Sequence, residues 1–155
     1  MKRTSIVFLI TFLFLIIMSA CQENTYMDWK LLNDKWYSIH KSDSGFVTTS
    51  SGLCYKKIHQ GYQRFPNTNS VVIVNYKGTL IDGSIFDSTA TGTNASLYLS
   101  EAIKGWQEGL QKMQNGGDYI FYIPYKLGYD VDASNTKVPP YSLLRFDVHL
   151  IDSYY

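Results

Sequence analysis

The sequence predicts an α+β domain in which one apolar-striped helix covers a face of an antiparallel sheet. Three observations carry this. The run Val71–Leu80 (VVIVNYKGTL) is β-branched and apolar, as a central strand requires. The stretch SEAIKGWQEGLQKM places Ile103, Trp106, Leu110 and Met113 on one helical face. Near the C-terminus, Leu144, Phe146, Val148 and Leu150 alternate with Arg145, Asp147 and His149, the period of a half-buried strand. Strands, one helix and strands again, in that order, point to a single helix packed on a single sheet.

The elements follow in chain order. Residues 1–21 read MKRTSIVFLITFLFLIIMSAC: a short basic start at Lys2 and Arg3, an apolar run from Ile6 to Met18, then Ser19, Ala20 and Cys21. A spanning helix needs about 20 apolar residues, and this shorter run fits the core of an export signal. The closing Ser19-Ala20-Cys21 resembles a bacterial lipobox, with Met18 where Leu is commonest. That resemblance implies removal of residues 1–20 and lipidation of Cys21, hence a membrane attachment. Gln22 supplies no evident inner-membrane retention signal, which favours the outer membrane facing the periplasm. With Cys21 acylated, Cys54 has no partner within the chain, so no internal disulfide is expected.

Tyr26, Trp29, Leu32, Trp36 and Ile39 recur at three- and four-residue steps, the period of an amphipathic helix, with Asn24 or Thr25 able to cap its start. Ser42-Asp43-Ser44-Gly45 ends it. Its stripe is too apolar for a free linker, so the helix is expected to pack on the domain or on a partner. SGLCYKKI then reads as a strand that buries Cys54. Asp82-Gly83 marks a turn before a short extended piece at Ser84–Asp87, and Thr89–Asn94 is a polar loop. Ser100 is the expected cap of the internal helix, and Asn115-Gly116-Gly117 its stop. Asp118–Pro124 is a strand, and the long loop Tyr125–Ser142, with Pro139-Pro140, has a length usually tied to function.

Bulk properties exclude several classes of function. A net charge of +1 provides no electrostatic footprint for nucleic acid. Three scattered histidines, His40, His59 and His149, lack ligand spacing, so no metal site is expected. No Ser-His-Asp, Cys-His or phosphate-loop arrangement is present. Thirteen Tyr, eight Phe and three Trp instead supply apolar bodies with polar handles, the material of an aromatic pocket.

Five segments, SGLCYKKI, VVIVNYKGTLIDGSIFDST, EAIKGWQEGLQKM, IPYKLGYD and VPPYSLLRFDVHLI, occur in this order across residues 50–151. Together they resemble the FKBP family of peptidyl-prolyl cis-trans isomerases. The resemblance implies an antiparallel sheet of five or six strands wrapped around the short helix, with a proline pocket between them. Position by position, it implies Trp106 as the floor, Tyr76 and Phe86 as aromatic walls, and Phe146 on the inner side. Asp87 would lie beside the twisting amide, and the Tyr129 hydroxyl would face a substrate carbonyl. Ala102, Ile103 and Val138 would contact substrate, with the Ile103 N–H offered to a carbonyl. Implied ligands are proline-containing polypeptides and macrolide immunosuppressants, with no cofactor. The chain departs from the family pattern at Ala102, where Val is usual, and at Asp130, where Gly is typical. It also has Ala95 or Leu97 in the region where an aromatic is common. These changes keep open a second function, a lipid-tethered chaperone or binding module with little turnover. The resulting organisation is a signal over 1–20, a lipid-anchored helical extension over 21–48 and an isomerase domain over 49–155.

Overall fold

The computed structural model describes residues 26–131 and 137–155. The expected export signal, the lipidation site Cys21 and the caps Asn24 and Thr25 lie outside the described residues. Helix α1 covers 26–40. Seven strands follow: β1 Phe46–Thr48, β2 Cys54–His59, β3 Val71–Thr79, β4 Ile85–Ser88, β5 Ala95–Tyr98, β6 Gly117–Ile123 and β7 Leu144–Tyr154. Helix α2, Lys104–Leu110, lies between β5 and β6, and short 3-10 turns occupy Leu99–Glu101 and Tyr125–Leu127.

The strands form one antiparallel sheet in the order β1-β2-β6-β7-β3-β4, with β5 pairing the first half of β3 on the edge that β4 uses further along. The sheet thus has the expected antiparallel form with seven strands instead of five or six. It begins at Phe46, since β1 pairs β2 from Phe46↔Lys56 to Thr48↔Cys54. The alternation in β7 is realised: Leu144, Phe146, Val148 and Leu150 are buried, and Arg145, Asp147 and His149 are half-exposed. These residues join Val72, Val74, Tyr119, Phe121 and Ile123 in a core that α2 closes with Trp106 and Leu110. Cys54 is fully buried and forms no disulfide among the described residues.

Two expectations need correction. The internal helix is shorter than its periodic stretch, and Ser100 does not cap it. Ser100 lies in the preceding 3-10 turn, Ala102 is extended at φ −74°, and Ile103 is the N-cap with no side-chain cap bond. The Gln107 side chain reaches back to the Ser100 and Ala102 carbonyls (3.0 and 2.7 Å), so the connection is tied from inside the helix. At the other end, α2 stops at Leu110, and Gly116 (φ 81°) serves the turn that starts β6.

The second correction concerns the buried face of α1. The helix packs on the domain, but Leu32 and Ile39 are 56% and 57% exposed, while Asn33 is only 2% exposed. Apolar period alone aims the helix wrongly because it discounts a polar residue whose amide nitrogen and oxygen each find a partner. Asn33 donates to the Trp29 carbonyl (2.7 Å) and accepts the Leu143 N–H (2.8 Å), which offsets its burial. Trp36 sits edge-on to Tyr122 at 5.0 Å, within a small second cluster with Phe46 and Leu143. Among the described residues, no helix is long and apolar enough to cross a membrane.

Helix α2 meets the sheet through glycine. A Cβ at Gly105 would lie 2.5 Å from Ile123, and one at Gly109 would lie 2.7 Å from Phe121, both distances impossible without movement. Gly in a helix costs about 1 kcal/mol relative to Ala, and overpacking a filled core costs about 1–3 kcal/mol. The second effect dominates because Phe121 is fully buried and cannot retreat. Gly109→Ala is therefore expected to lower stability by about 1 kcal/mol and the melting temperature by about 4 °C. Thermal unfolding checks this, and a stabilised variant would show that the two surfaces are not in contact.

Candidate functional site

A cavity of about 220 Å³ opens between α2, β3, β4 and β7, lined by Tyr76, Asp87, Leu97, Glu101, Ala102, Ile103, Trp106, Tyr129 and Phe146. It is smaller than the 300–1,000 Å³ of drug-sized sites and matches one small ring with its flanking backbone.

Each wall has a local cause. Tyr76 extends the inward row of β3 after Val72 and Val74. The next inward position is Gly78, where a Cβ would collide with Phe86 at 2.6 Å and Phe146 at 2.9 Å. Opposite it, the β3–β4 register jumps from Gly78↔Asp87 to Thr79↔Ile85, leaving Phe86 as the extra residue of a bulge. In a regular strand, Phe86 and Asp87 would face opposite sides of the sheet. The bulge instead lets two consecutive residues serve one site. Phe86 enters the core, and Asp87 reaches the cavity.

The aromatic rings interlock edge to face. Trp106 lies 5.0 Å from Tyr76 and 5.3 Å from Phe146, with interplanar angles of 88° and 78°. Phe86 meets Phe146 at 5.3 Å and Tyr129 at 6.5 Å, also near perpendicular. Such pairs add about 0.5–1.5 kcal/mol each beyond area burial and fix ring orientation. The Trp106 indole nitrogen is buried with no hydrogen-bond partner among the described residues.

The polar groups are few. The Tyr76 hydroxyl donates to Asp87 Oδ2 at 2.7 Å. Burial, then this bond, pushes the Tyr76 phenol well above its usual range; burial and the Asp87 charge also push Tyr129 up. Both phenols therefore remain protonated donors at any physiological pH. Among the described residues, no group of His, Cys, Asp or Glu could hold a metal ion.

Of the residues singled out in the sequence, Tyr76, Asp87, Ala102, Ile103, Trp106, Tyr129 and Phe146 share the cavity wall. Phe86 stands behind it, buttressing Phe146 and Tyr129. Val138 is 2% exposed within the main core and is not part of the cavity wall. Sequence reasoning passed over Glu101 and treated Leu97 only as a missing aromatic. Both line the cavity. The alternation of Leu97 with Tyr98 on a strand beside β3 was the available signal for Leu97.

Fold and site together define an α+β domain with a small cavity walled by edge-to-face aromatic rings between its helix and its antiparallel sheet. The model of the FKBP-type peptidyl-prolyl cis-trans isomerases matches residues 62–151, and the chain belongs to that family. It is 44% identical over 108 residues to a probable FKBP-type peptidyl-prolyl cis-trans isomerase FkpA of Neisseria meningitidis serogroup B, covering 69% of this chain and 40% of that protein. It is 39% identical over 123 residues to the outer membrane protein MIP of Legionella longbeachae, covering 79% and 53%. The crystal structure of FkpA from Escherichia coli superposes with a TM-score of 0.80 at 36% identity, covering 87% of this chain and 63% of that one. The chain spans about half the length of the curated relatives it matches.

The phenol shifts have a consequence for alkaline stability. Tyr76 in the unfolded chain ionises near the usual 10, while the folded protein retains the proton above that pH. The folded state then binds more protons, so stability holds below pH 10 and falls as pH rises through it. Tyr76→Phe is expected to make this fall shallower in urea titrations between neutral and alkaline pH. A slope unchanged by the substitution would contradict the assignment.

Proposed function

We propose that this chain accelerates cis-trans rotation about X-Pro bonds in exported polypeptides, using the cavity floored by Trp106. The observation that carries the reading is the set of seven cavity-lining residues drawn from positions the family resemblance singled out. Amide rotation faces a barrier of about 18–20 kcal/mol because it breaks resonance. At X-Pro bonds both isomers are populated, but they exchange in roughly tens to hundreds of seconds. No nucleophile or cofactor is required; the task is to bind the twisted amide better than the planar one.

In this reading the proline ring sits on the Trp106 indole between Tyr76 and Phe146, with Phe86 as the backing wall. The planar amide oxygen carries more charge and loses more hydration on entering a dry pocket than the twisted amide does, so desolvation favours the twisted form. The Ile103 N–H and the Tyr129 hydroxyl offer donors to substrate carbonyls flanking the bond. Asp87 holds the Tyr76 hydroxyl and sets the polarity beside the rotating amide. Ala102 and Leu97 leave the rim smaller than an aromatic or Val would, which favours accommodating bulky neighbours of proline and weakens the grip on macrolides.

Residues 1–20 act as an export signal and Cys21 as the lipid-bearing N-terminus of the mature chain, with 21–48 as extension and 49–155 as the isomerase domain. A relative named as an outer membrane protein supports a cell-envelope location, and the periplasmic side of the outer membrane is where exported clients are folding. Cys21→Ser is expected to abolish incorporation of labelled fatty acid and release the protein from membrane fractions. Lipid labelling that persists would place the modification elsewhere.

The activity test is proline-peptide isomerisation by soluble chain starting at Gln22. Trp106→Leu and Asp87→Ala are each expected to lower kcat/KM roughly ten-fold or more, the equivalent of about 1.4 kcal/mol of lost transition-state contact. Near-UV circular dichroism confirms that the variants remain folded. A folded parent that fails to accelerate the exchange, yet binds proline peptides, would make the chain a tethered binding module instead.

A further inference from the structure

We infer that Trp29 and Asn33 of α1 are positioning residues for the pocket, holding the loop that carries Tyr129; this rests on the reading of the cavity as the substrate site. Helix α1 lies outside residues 62–151, the part matched by the family model. It is nonetheless bonded directly to the end of that loop. The Trp29 indole N–H donates to Ser142 Oγ at 2.8 Å, and Ser142 Oγ donates to the Pro139 carbonyl at 2.6 Å. One residue on, the buried Leu143 N–H donates to Asn33 Oδ1 at 2.8 Å.

The residue before this grip is Tyr141, one of two non-glycine residues among those described with positive φ (65°). The other is Asp130 (55°), directly after Tyr129. The two are bonded to each other, Tyr141 N–H to the Asp130 carbonyl at 3.1 Å, and Asp130 N–H is tied to the Tyr125 carbonyl at 2.8 Å. The rings of Tyr125 and Tyr141 meet at 5.3 Å. Left-handed backbone is unfavourable for residues with a Cβ and persists only where its surroundings over-determine it. Here the restraint comes from α1. Trp29 and Asn33 hold Ser142 and Leu143, which fixes Tyr141, which pairs with Asp130, which sets where Tyr129 enters the cavity.

The test uses the full chain with Trp29→Phe, which retains ring packing but loses the indole N–H, and Asn33→Leu, which removes both side-chain bonds. Two readouts are taken. Residue-resolved amide exchange at Asp130 and Tyr141 is expected to quicken ten-fold or more in both variants, while amides in β3 and β7 keep their rates. For proline peptides, KM is expected to rise several-fold with kcat little changed, because the Tyr129 hydroxyl is bound alike in ground and transition states. Combined with Tyr129→Phe, Trp29→Phe is expected to add no further loss, whereas a purely structural residue would add its own. Unaltered exchange at Asp130 and Tyr141 in folded Trp29→Phe protein, or fully additive losses, would overturn the inference. If the parent proved catalytically inert, the site reading would fall and the exchange measurement would still decide whether α1 holds the loop. Should Asn33→Leu not fold, the milder Trp29→Phe alone gives both readouts.

Discussion

Helix α2 rests on β6 through Gly105 and Gly109, and the distance this allows puts the Trp106 indole among the sheet's aromatics rather than above them. With Cβ atoms at those two positions, Ile123 and Phe121 would have to yield, and neither has room, since both are fully buried. Lifting the helix would loosen the edge-to-face contacts of Trp106 with Tyr76 and Phe146, which form the floor of the cavity between helix and sheet. The helix therefore gives up intrinsic propensity for proximity, and its seven residues are held by packing more than by their own hydrogen bonds.

A second omission of a side chain completes the nest. Gly78 opens a hollow in β3 that the rings of Phe86 and Phe146 fill, and the β4 bulge opposite it turns Phe86 and Asp87 to the same side. The result is an apolar wall and a carboxylate delivered by neighbouring residues. Its electrostatics are spare. The Asp87 carboxylate is held by the Tyr76 phenol, Glu101 is the second carboxylate on the wall, and both phenols are kept neutral by burial.

The domain is also tied together from outside its family-matched segment. Helix α1 contributes a buried asparagine and a tryptophan to the base of the long loop, and Tyr37 to the Gly52 carbonyl at 2.6 Å, so the extension is packed as part of the domain.

The sequence by itself determined the class of fold and most of the cavity wall. Strand period in β3 and β7, the apolar stripe around Trp106 and the ordered segments between them are local patterns, and local patterns survive in one dimension. It also marked Tyr76, Asp87, Trp106, Tyr129 and Phe146, through the ordered segments that resemble the FKBP family. Tertiary structure alone decided the rest. A bulge is a relation between two strands, so nothing in the residues 85–88 themselves announces that Phe86 and Asp87 face the same way. The shortness of α2 comes from Gln107 reaching back to the Ser100 and Ala102 carbonyls, a choice between competing hydrogen bonds. The buried face of α1 turned on Asn33, whose cost of burial is offset by the Trp29 carbonyl and by the Leu143 N–H, the latter 110 residues away in the chain. Apolar burial is scored residue by residue and can be read from sequence. Polar satisfaction depends on a partner, and only the folded chain brings the partner near.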